Sequence, residues 1–246
     1  MNGCSGKMGQ VITSIVENDN TCEIVAGIDP KNIKTSYPIF NDINNCNIKA
    51  DCIIDFSTST AIPTLLEYAK NKKLPIILCS TGLTDDINNK ILEYSQYIPI
   101  LKSSNMSIGI NIIMKVLKQL SPILANEGFD IEIIEKHHNQ KIDAPSGTAL
   151  SLAETINSEL KDEYEYVFDR SSKRETRSKK EIGISVIRGG TIVGEHDIIF
   201  AGRDEIIKLS HIAHSKELFA VGAVKAAKYI IKKPAGFYTM EDVIEY

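Results

Sequence analysis

The chain has 246 residues, 43% of them hydrophobic and 24% charged, with a formal net charge of −4. That length suits one large or two modest globular domains, and the acidic balance argues against a nucleic-acid partner. Cys4, Cys22, Cys46, Cys52 and Cys79 form no C-x-x-C pair, so the usual zinc and dithiol spacings are missing. An odd cysteine count and a start without a basic then apolar leader fit reduced thiols in a cytoplasmic protein. No apolar run approaches the roughly 20 residues of a membrane span, so no membrane partner is expected.

Gly3, Gly6 and Gly9 are spaced G-x-x-G-x-x-G at the start of a helical pattern, Met8 to Glu17, with Met8, Val11, Ile12, Ile15 and Val16 at helical spacing. Such glycines let the backbone approach a pyrophosphate at a helix N-terminus. Glu23 to Ile28 reads as a buried strand. Asp29 follows it, 20 residues after Gly9, where a dinucleotide site places an acid on ribose hydroxyls. Only Met1 and Asn2 precede Gly3, so the strand that should lead into the loop is largely missing. The expectation is a start a few residues upstream, seen as in-frame codons for an apolar strand of about five residues. Asp51 to Phe56, Leu74 to Cys79 and Ile98 to Leu101 read as further strands. Ser59 to Asn71 reads as a helix, with Ser59 as cap and Pro63 in the first turn. Strands alternating with helices predict parallel βαβ units.

The pattern then changes. Asn105 to Leu120 and Thr148 to Leu160 read as helices. Asp130 to Glu135, Ile182 to Arg188, Gly194 to Phe200 and Glu205 to His211 read as strands between glycine-containing turns. Leu218 to Ile231 is a helix that returns to the first domain. The predicted class is α/β: a Rossmann-like dinucleotide-binding domain over 1–105 plus 216–246, and an α+β domain with a mixed or antiparallel sheet over 106–215. Arg170 to Lys180 holds six basic residues and one acid. It is either a solvated loop or a basic flap beside an anionic ligand.

The chemistry concentrates in Glu135 to Thr148, EKHHNQKIDAPSGT. His137, His138 and Lys141 lie within five residues of one another after a strand. Imidazoles beside an ammonium are unfavourable unless an anion arrives or a pKa falls, so a dianion is a natural partner and a polar turn the alternative. Downstream, Pro145 sets a turn, Ser146 is a helix N-cap, and Gly147 and Thr148 fall in the first turn, whose N–H groups suit a carboxylate. Together the two features suit a small dicarboxylate.

The pattern E-x-H-H-x-x-K-x-D-A-P-S-G-T-A resembles the signature of the 4-hydroxy-tetrahydrodipicolinate reductase (dihydrodipicolinate reductase) family of bacterial lysine biosynthesis. The resemblance runs along nearly the whole chain. It includes the glycine loop with Lys7-Met8, Asp55-Phe56-Ser57, Ser80-Thr81-Gly82, Asn105-Met106-Ser107, Arg188-Gly189-Gly190, Gly194-Glu195-His196 and Phe200-Ala201-Gly202. It implies His137 as catalytic acid/base and Lys141 as proton donor. It implies His138, Ser146, Gly147 and Thr148 around the substrate carboxylates, and Arg188 as a structural residue lining the cleft. The cofactor, NADH or NADPH, would contact Gly3, Cys4, Ser5, Gly6, Lys7, Met8, Asp29, Cys79, Ser80, Thr81, Ser103, Ser104, Asn105 and Met106. No metal is implied. The second domain would hold the substrate and, through its sheet, build a homotetramer.

Four positions depart from the family's common pattern. Cys79-Ser80-Thr81-Gly82 stands where many members have Gly-Thr-Thr-Gly, and Met106 where many have Phe. Pro30 follows Asp29 in place of the arginine some members use on a 2′-phosphate, which leans towards NADH and leaves NADPH open through Lys31 or Lys34. Two rivals keep the dinucleotide fold: an amino-acid dehydrogenase acting on aspartate, and a cofactor-sensing regulator without turnover. A metal site at His137, His138 and His196 is a third reading.

Overall fold

The computed structural model of the chain describes residues 1–171 and 173–244. In chain order the elements are α1 (Lys7–Glu17), β1 (Gly27–Ile28), β2 (Ile39–Phe40), β3 (Ile53–Asp55), α2 (Ile62–Lys72), β4 (Ile76–Leu78), α3 (Asp85–Tyr94), β5 (Pro99–Lys102), α4 (Ile108–Asn126), β6 (Asp130–His137), α5 (Gly147–Glu159), β7 (Glu165–Val167), β8 (Glu181–Arg188), β9 (Gly194–Ala201), β10 (Ile206–Ala213), α6 (Glu217–Ile230), β11 (Gly236–Tyr238) and α7 (Met240–Ile244). They form two compact units, 1–108 with 216–246, and 109–215.

The first unit is a parallel sheet with helices on both faces. Strands β3, β4, β5 and β11 pair in parallel, and β1 pairs with β2. Side chains alternate across a strand, and β4 shows the result: Ile77 joins a core with Ile12, Val16, Ala223 and Met240, while Ile76 and Leu78 join another with Leu65, Leu66 and Ile91. Helices α1, α6 and α7 therefore cover one face, and α2 and α3 the other. α6 is the returning helix predicted from sequence.

The centre of this sheet is thin. Asn2 alone bridges Ile28 on one side and Asp55 on the other, both in parallel sense. The Met1 amine donates to the Ala26 carbonyl at 2.8 Å. Of the expected strand Glu23 to Ile28, only Gly27–Ile28 is paired. The reason is local: positions 23–26 and 51–54 flank a cavity of about 690 Å³, and no described strand lies between them. The Ser59 cap is also corrected. Ser59–Ala61 forms a 3-10 turn, α2 begins at Ile62 with Ala61 as its cap, and Pro63 does sit in its first turn.

The second unit is a five-stranded mixed sheet in the order β10-β9-β6-β8-β7. β6 runs parallel to β8 and antiparallel to β9. One face is apolar: Ile131, Ile133, Ile182, Ile184, Ile198 and Phe200 pack with Leu117 and Leu124 of α4 and Leu152 and Ile156 of α5. The other carries Lys136, ion-paired with Glu195 at 2.8 Å, and Lys208, paired with Asp197 at 3.0 Å. Ile187, Ile206 and Ile212 are exposed. α4, with 19 residues, is long and apolar enough to cross a membrane by length and composition alone, and its Leu117 and Leu124 pack on the sheet. Lys115 and Lys118 break its apolar run.

The basic stretch Arg170 to Lys180 is described except at position 172, which lies outside the described residues. Arg170 pairs with Glu181, and Lys180 with Glu163. Arg177 contacts Glu132, Asp130 and two backbone carbonyls of the sheet. Those three cations fasten the loop to its own unit.

Candidate active site

Period-two alternation continues past the apolar part of β6. Ile131 and Ile133 are buried, and the next residues on the same face are Glu135 and His137, 0% and 9% exposed. Glu135 therefore enters an apolar face as a charged group. It is compensated on both oxygens. Arg188 of β8 donates to both from its two terminal nitrogens, each at 2.7 Å. The Ser146 N–H donates at 2.8 Å, and His137 Nδ1 lies 2.6 Å from Oε2. A bidentate arginine is the strong form of this bond. Burial pushes the Glu135 carboxyl up, but Arg188, His137 and the Ser146 N–H outweigh it and hold it below the usual carboxylate range.

His137 has the opposite balance. Burial lowers its pKa, Glu135 opposes that, and Lys141 and Arg188 add to the lowering. The His196 ring stands edge-on to it with centroids 5.3 Å apart. His196 is buried and its pKa falls to about 4, chiefly by burial and then by His137. The Ser146 hydroxyl accepts from Ala149 N–H at 3.2 Å as the cap of α5. It also lies 3.1 Å from His196 Nε2, and His196 Nδ1 is buried without a hydrogen-bond partner among the described residues.

Lys141 donates to the Asp143 carboxylate at 2.8 Å. That carboxyl is held below its usual range by Lys141 first, and by the Gly147 N–H among smaller causes. Lys141 thus already holds one carboxylate, four residues ahead of the first residue of α5. Gly147 and Thr148 are the first two residues of α5, as the spacing predicts, with Ser146 as cap. His138 makes no side-chain hydrogen bond among the described residues. No three His, Cys, Asp or Glu among them are grouped to hold a metal.

In the first unit, the remaining predicted residues follow the carboxyl ends of parallel strands, where such sheets bind ligands. Gly3 has φ +77°, and a Cβ there would lie 2.7 Å from the Phe56 carbonyl; at Gly9 it would lie 2.4 Å from the Gly3 carbonyl. Gly6 caps α1 without a side-chain hydrogen bond, so Lys7 and Met8 open a helix with no side-chain cap. Asp29 accepts from Ser5 N–H at 3.0 Å and Lys31 N–H at 2.9 Å. A cavity of about 630 Å³ adjoins, lined by Gly3, Gly6, Asp29, Pro30 and Asp42 among others. Cys79, Ser80 and Thr81 follow β4. Ser103, Ser104, Asn105 and Met106 follow β5. The Ser80 hydroxyl donates to Asp55 at 2.7 Å, and so does the Asn2 amide. The uncapped helix start and the cavity beside Asp29 fit a dinucleotide: the first for its phosphates, the second for a ribose.

Sequence reasoning gave no role to Glu135, Gly194, Asp55 or Asn2. For Glu135 a signal existed: two residues before His137 on a strand means the same face. For Arg188 the register with His137 across β6 and β8 could not be read from one sequence.

A two-unit molecule with an uncapped glycine loop and a cationic, carboxylate-holding site on a mixed sheet is an oxidoreductase of the nicotinamide-dependent kind. Comparison with known proteins narrows this. Residues 1–106 match the family model for the dihydrodipicolinate reductase N-terminus, and residues 109–244 the model for its C-terminus. A 4-hydroxy-tetrahydrodipicolinate reductase of Clostridium novyi is 51% identical over 246 residues, covering 100% of this chain and 97% of the relative. One of Caldanaerobacter subterraneus is 47% identical over 245 residues, with the same coverage. A dipicolinate-bound dihydrodipicolinate reductase from Paenisporosarcina superposes with a TM-score of 0.82 at 25% identity, covering 98% of this chain and 97% of that one. The chain belongs to the dihydrodipicolinate reductase family.

Proposed function

We propose that this chain reduces 4-hydroxy-tetrahydrodipicolinate to tetrahydrodipicolinate in the lysine and diaminopimelate route, with NADH as the preferred cofactor. The observation that carries the reading is His137, backed by the Glu135–Arg188 pair, on the strand that leads to Lys141, which already holds a carboxylate, and to the start of α5, whose Ser146 N–H is bonded to the same Glu135. The dipicolinate bound to the Paenisporosarcina relative is a small dicarboxylate, the chemistry this cradle suits.

A nicotinamide cofactor, when bound, would supply hydride for the substrate ring. On the protein side, one substrate carboxylate takes the place of Asp143 against Lys141 and the Gly147 and Thr148 end of α5, with Ser146 holding that end in shape. His138 meets the other carboxylate. A dianion beside His137 and Lys141 offsets the mutual repulsion of their cations and favours their protonated forms. His137 and Lys141 then deliver the proton that follows hydride addition, a general-acid role.

For the cofactor, Gly3 to Met8 take the pyrophosphate, Asp29 the ribose, and Cys79 to Thr81 with Ser103 to Met106 the nicotinamide side. Asp29 and Asp42 share one cavity, and two carboxylates disfavour a 2′-phosphate; Lys31 and Lys34 are the cations that would have to answer it. The second unit's uncovered sheet face, with exposed Ile187, Ile206 and Ile212, is the surface for a homotetramer, and the protein is assigned to the cytoplasm. The test follows NADH and NADPH oxidation with substrate generated in situ, with aspartate dehydrogenation assayed alongside. Turnover of the lysine-route substrate with NADH is expected. Cofactor binding without any turnover would leave the regulator reading instead.

A further inference from the structure

His137 has two ring nitrogens, and the structure treats them differently. Nδ1 lies 2.6 Å from the Glu135 carboxylate. That carboxylate is itself fixed at three other points, two from Arg188 and one from the Ser146 N–H. An ionised, immobile carboxylate accepts only, so the nitrogen against it must carry a proton. On the other side of the ring stands Gly194, at the start of β9. A Cβ built there would lie 3.1 Å from His137 Nε2, closer than side chains normally approach.

We infer that Glu135 and Gly194 are the positioning residues of His137: Glu135 keeps the proton on Nδ1, and Gly194 keeps Nε2 open as the nitrogen that exchanges a proton with substrate. The inference rests on the acid/base role proposed for His137. The proton balance is complete within one ring. The imidazolium gives up its Nε2 proton, remains as the Nδ1–H tautomer against Glu135, and regains a proton from water. Arg188 and the backbone of Ser146 act one step further out, by preventing Glu135 from rotating or accepting the proton itself.

The charged and titratable groups facing His137 are Glu135 on its own strand, Arg188 on β8, His196 on β9 and Lys141 on the following loop. Only Glu135 favours the imidazolium. Replacing it with a neutral isostere therefore lowers the His137 pKa, and the alkaline limb of kcat moves to lower pH.

The experiment combines three variants with nitrogen NMR of the His137 ring. In the wild-type protein above the His137 pKa, the Nδ1–H tautomer is expected. Glu135→Gln should lower kcat by about 10²–10³-fold, shift the alkaline limb downwards, and change substrate KM by less than about threefold. Glu135→Asp, which keeps the charge, should restore the limb. Gly194→Ala should lower kcat at least about tenfold while the ring stays Nδ1-protonated. A purely structural Glu135 would alter thermal stability without moving the limb or the tautomer. Wild-type ring protonated on Nε2, or Glu135→Gln with wild-type kcat and pH profile, overturns the inference. If Glu135→Gln does not fold, the wild-type tautomer and Gly194→Ala still decide. Full turnover in His137→Ala would sink the acid/base role alone, since the tautomer measurement is independent of it.

Discussion

The two units solve the same problem, holding an anion, by opposite means. In the second, side chains hold side chains: Glu135 is gripped by Arg188 and Ser146, and in turn grips His137. In the first, the loop depends on atoms that are missing, since Gly3 and Gly9 leave room that any Cβ would fill, and Asn2 bridges the sheet on either side of it. A site built of charge networks should fail in kcat and in pH dependence. A site built of backbone clearance should fail in affinity and stability.

The largest break is expected at the reacting group. His137→Ala or Lys141→Ala should lower kcat by about 10²–10⁴-fold with the fold intact, as steady-state kinetics and circular dichroism would show. Next is acid stability. His196 has a native pKa of about 4 against a free value of 6.5, so the unfolded chain alone takes up a proton as pH falls through that window. Stability is therefore complete above 6.5 and lost towards 4, by about 3 kcal/mol from this residue. Denaturant melts of His196→Gln across that range should show a shallower fall than wild type.

On the first unit, Gly9→Ala forces a methyl to within 2.4 Å of the Gly3 carbonyl and should cost about 1–3 kcal/mol. Weaker NADH binding by fluorescence titration, with the second unit's pH dependence unmoved, would sharpen the contrast. Adding about five apolar residues ahead of Met1 should give positions 23–26 a strand partner and raise Tm by about 2–4 °C for each kcal/mol gained; no change in Tm would show that the cavity beside them takes no strand. The smallest effect is expected from Asp143→Asn. An exposed ion pair is worth at most about 1 kcal/mol, so substrate KM should fall no more than about fivefold.

Much of the second unit was legible because its signals are local. The Ser146 cap, the first turn at Gly147 and Thr148, and the apolar face of α5 depend on residues within one or two turns. Strand ends were less so, since pairing decides them: Glu23 to Ala26 has a strand's composition and no strand partner among the described residues. What makes His137 unusual was not legible, because Arg188 lies 53 residues from Glu135 and meets it only through the β6–β8 register. α3 and β7 went unread, α3 because its single fully buried residue, Ile91, leaves little periodicity to find.

Asp143 has a further consequence for selectivity. Its carboxylate sits two residues from Lys141 and is bonded to it, so it competes for the cradle as a tethered ligand. Tethering on so short a span gives an effective concentration in about the millimolar range or above. A free monocarboxylate must outbid that standing occupant with one contact, whereas a dicarboxylate brings a second. A residue of the protein itself thus sets a handicap of at most about 1 kcal/mol, which a second carboxylate contact more than offsets.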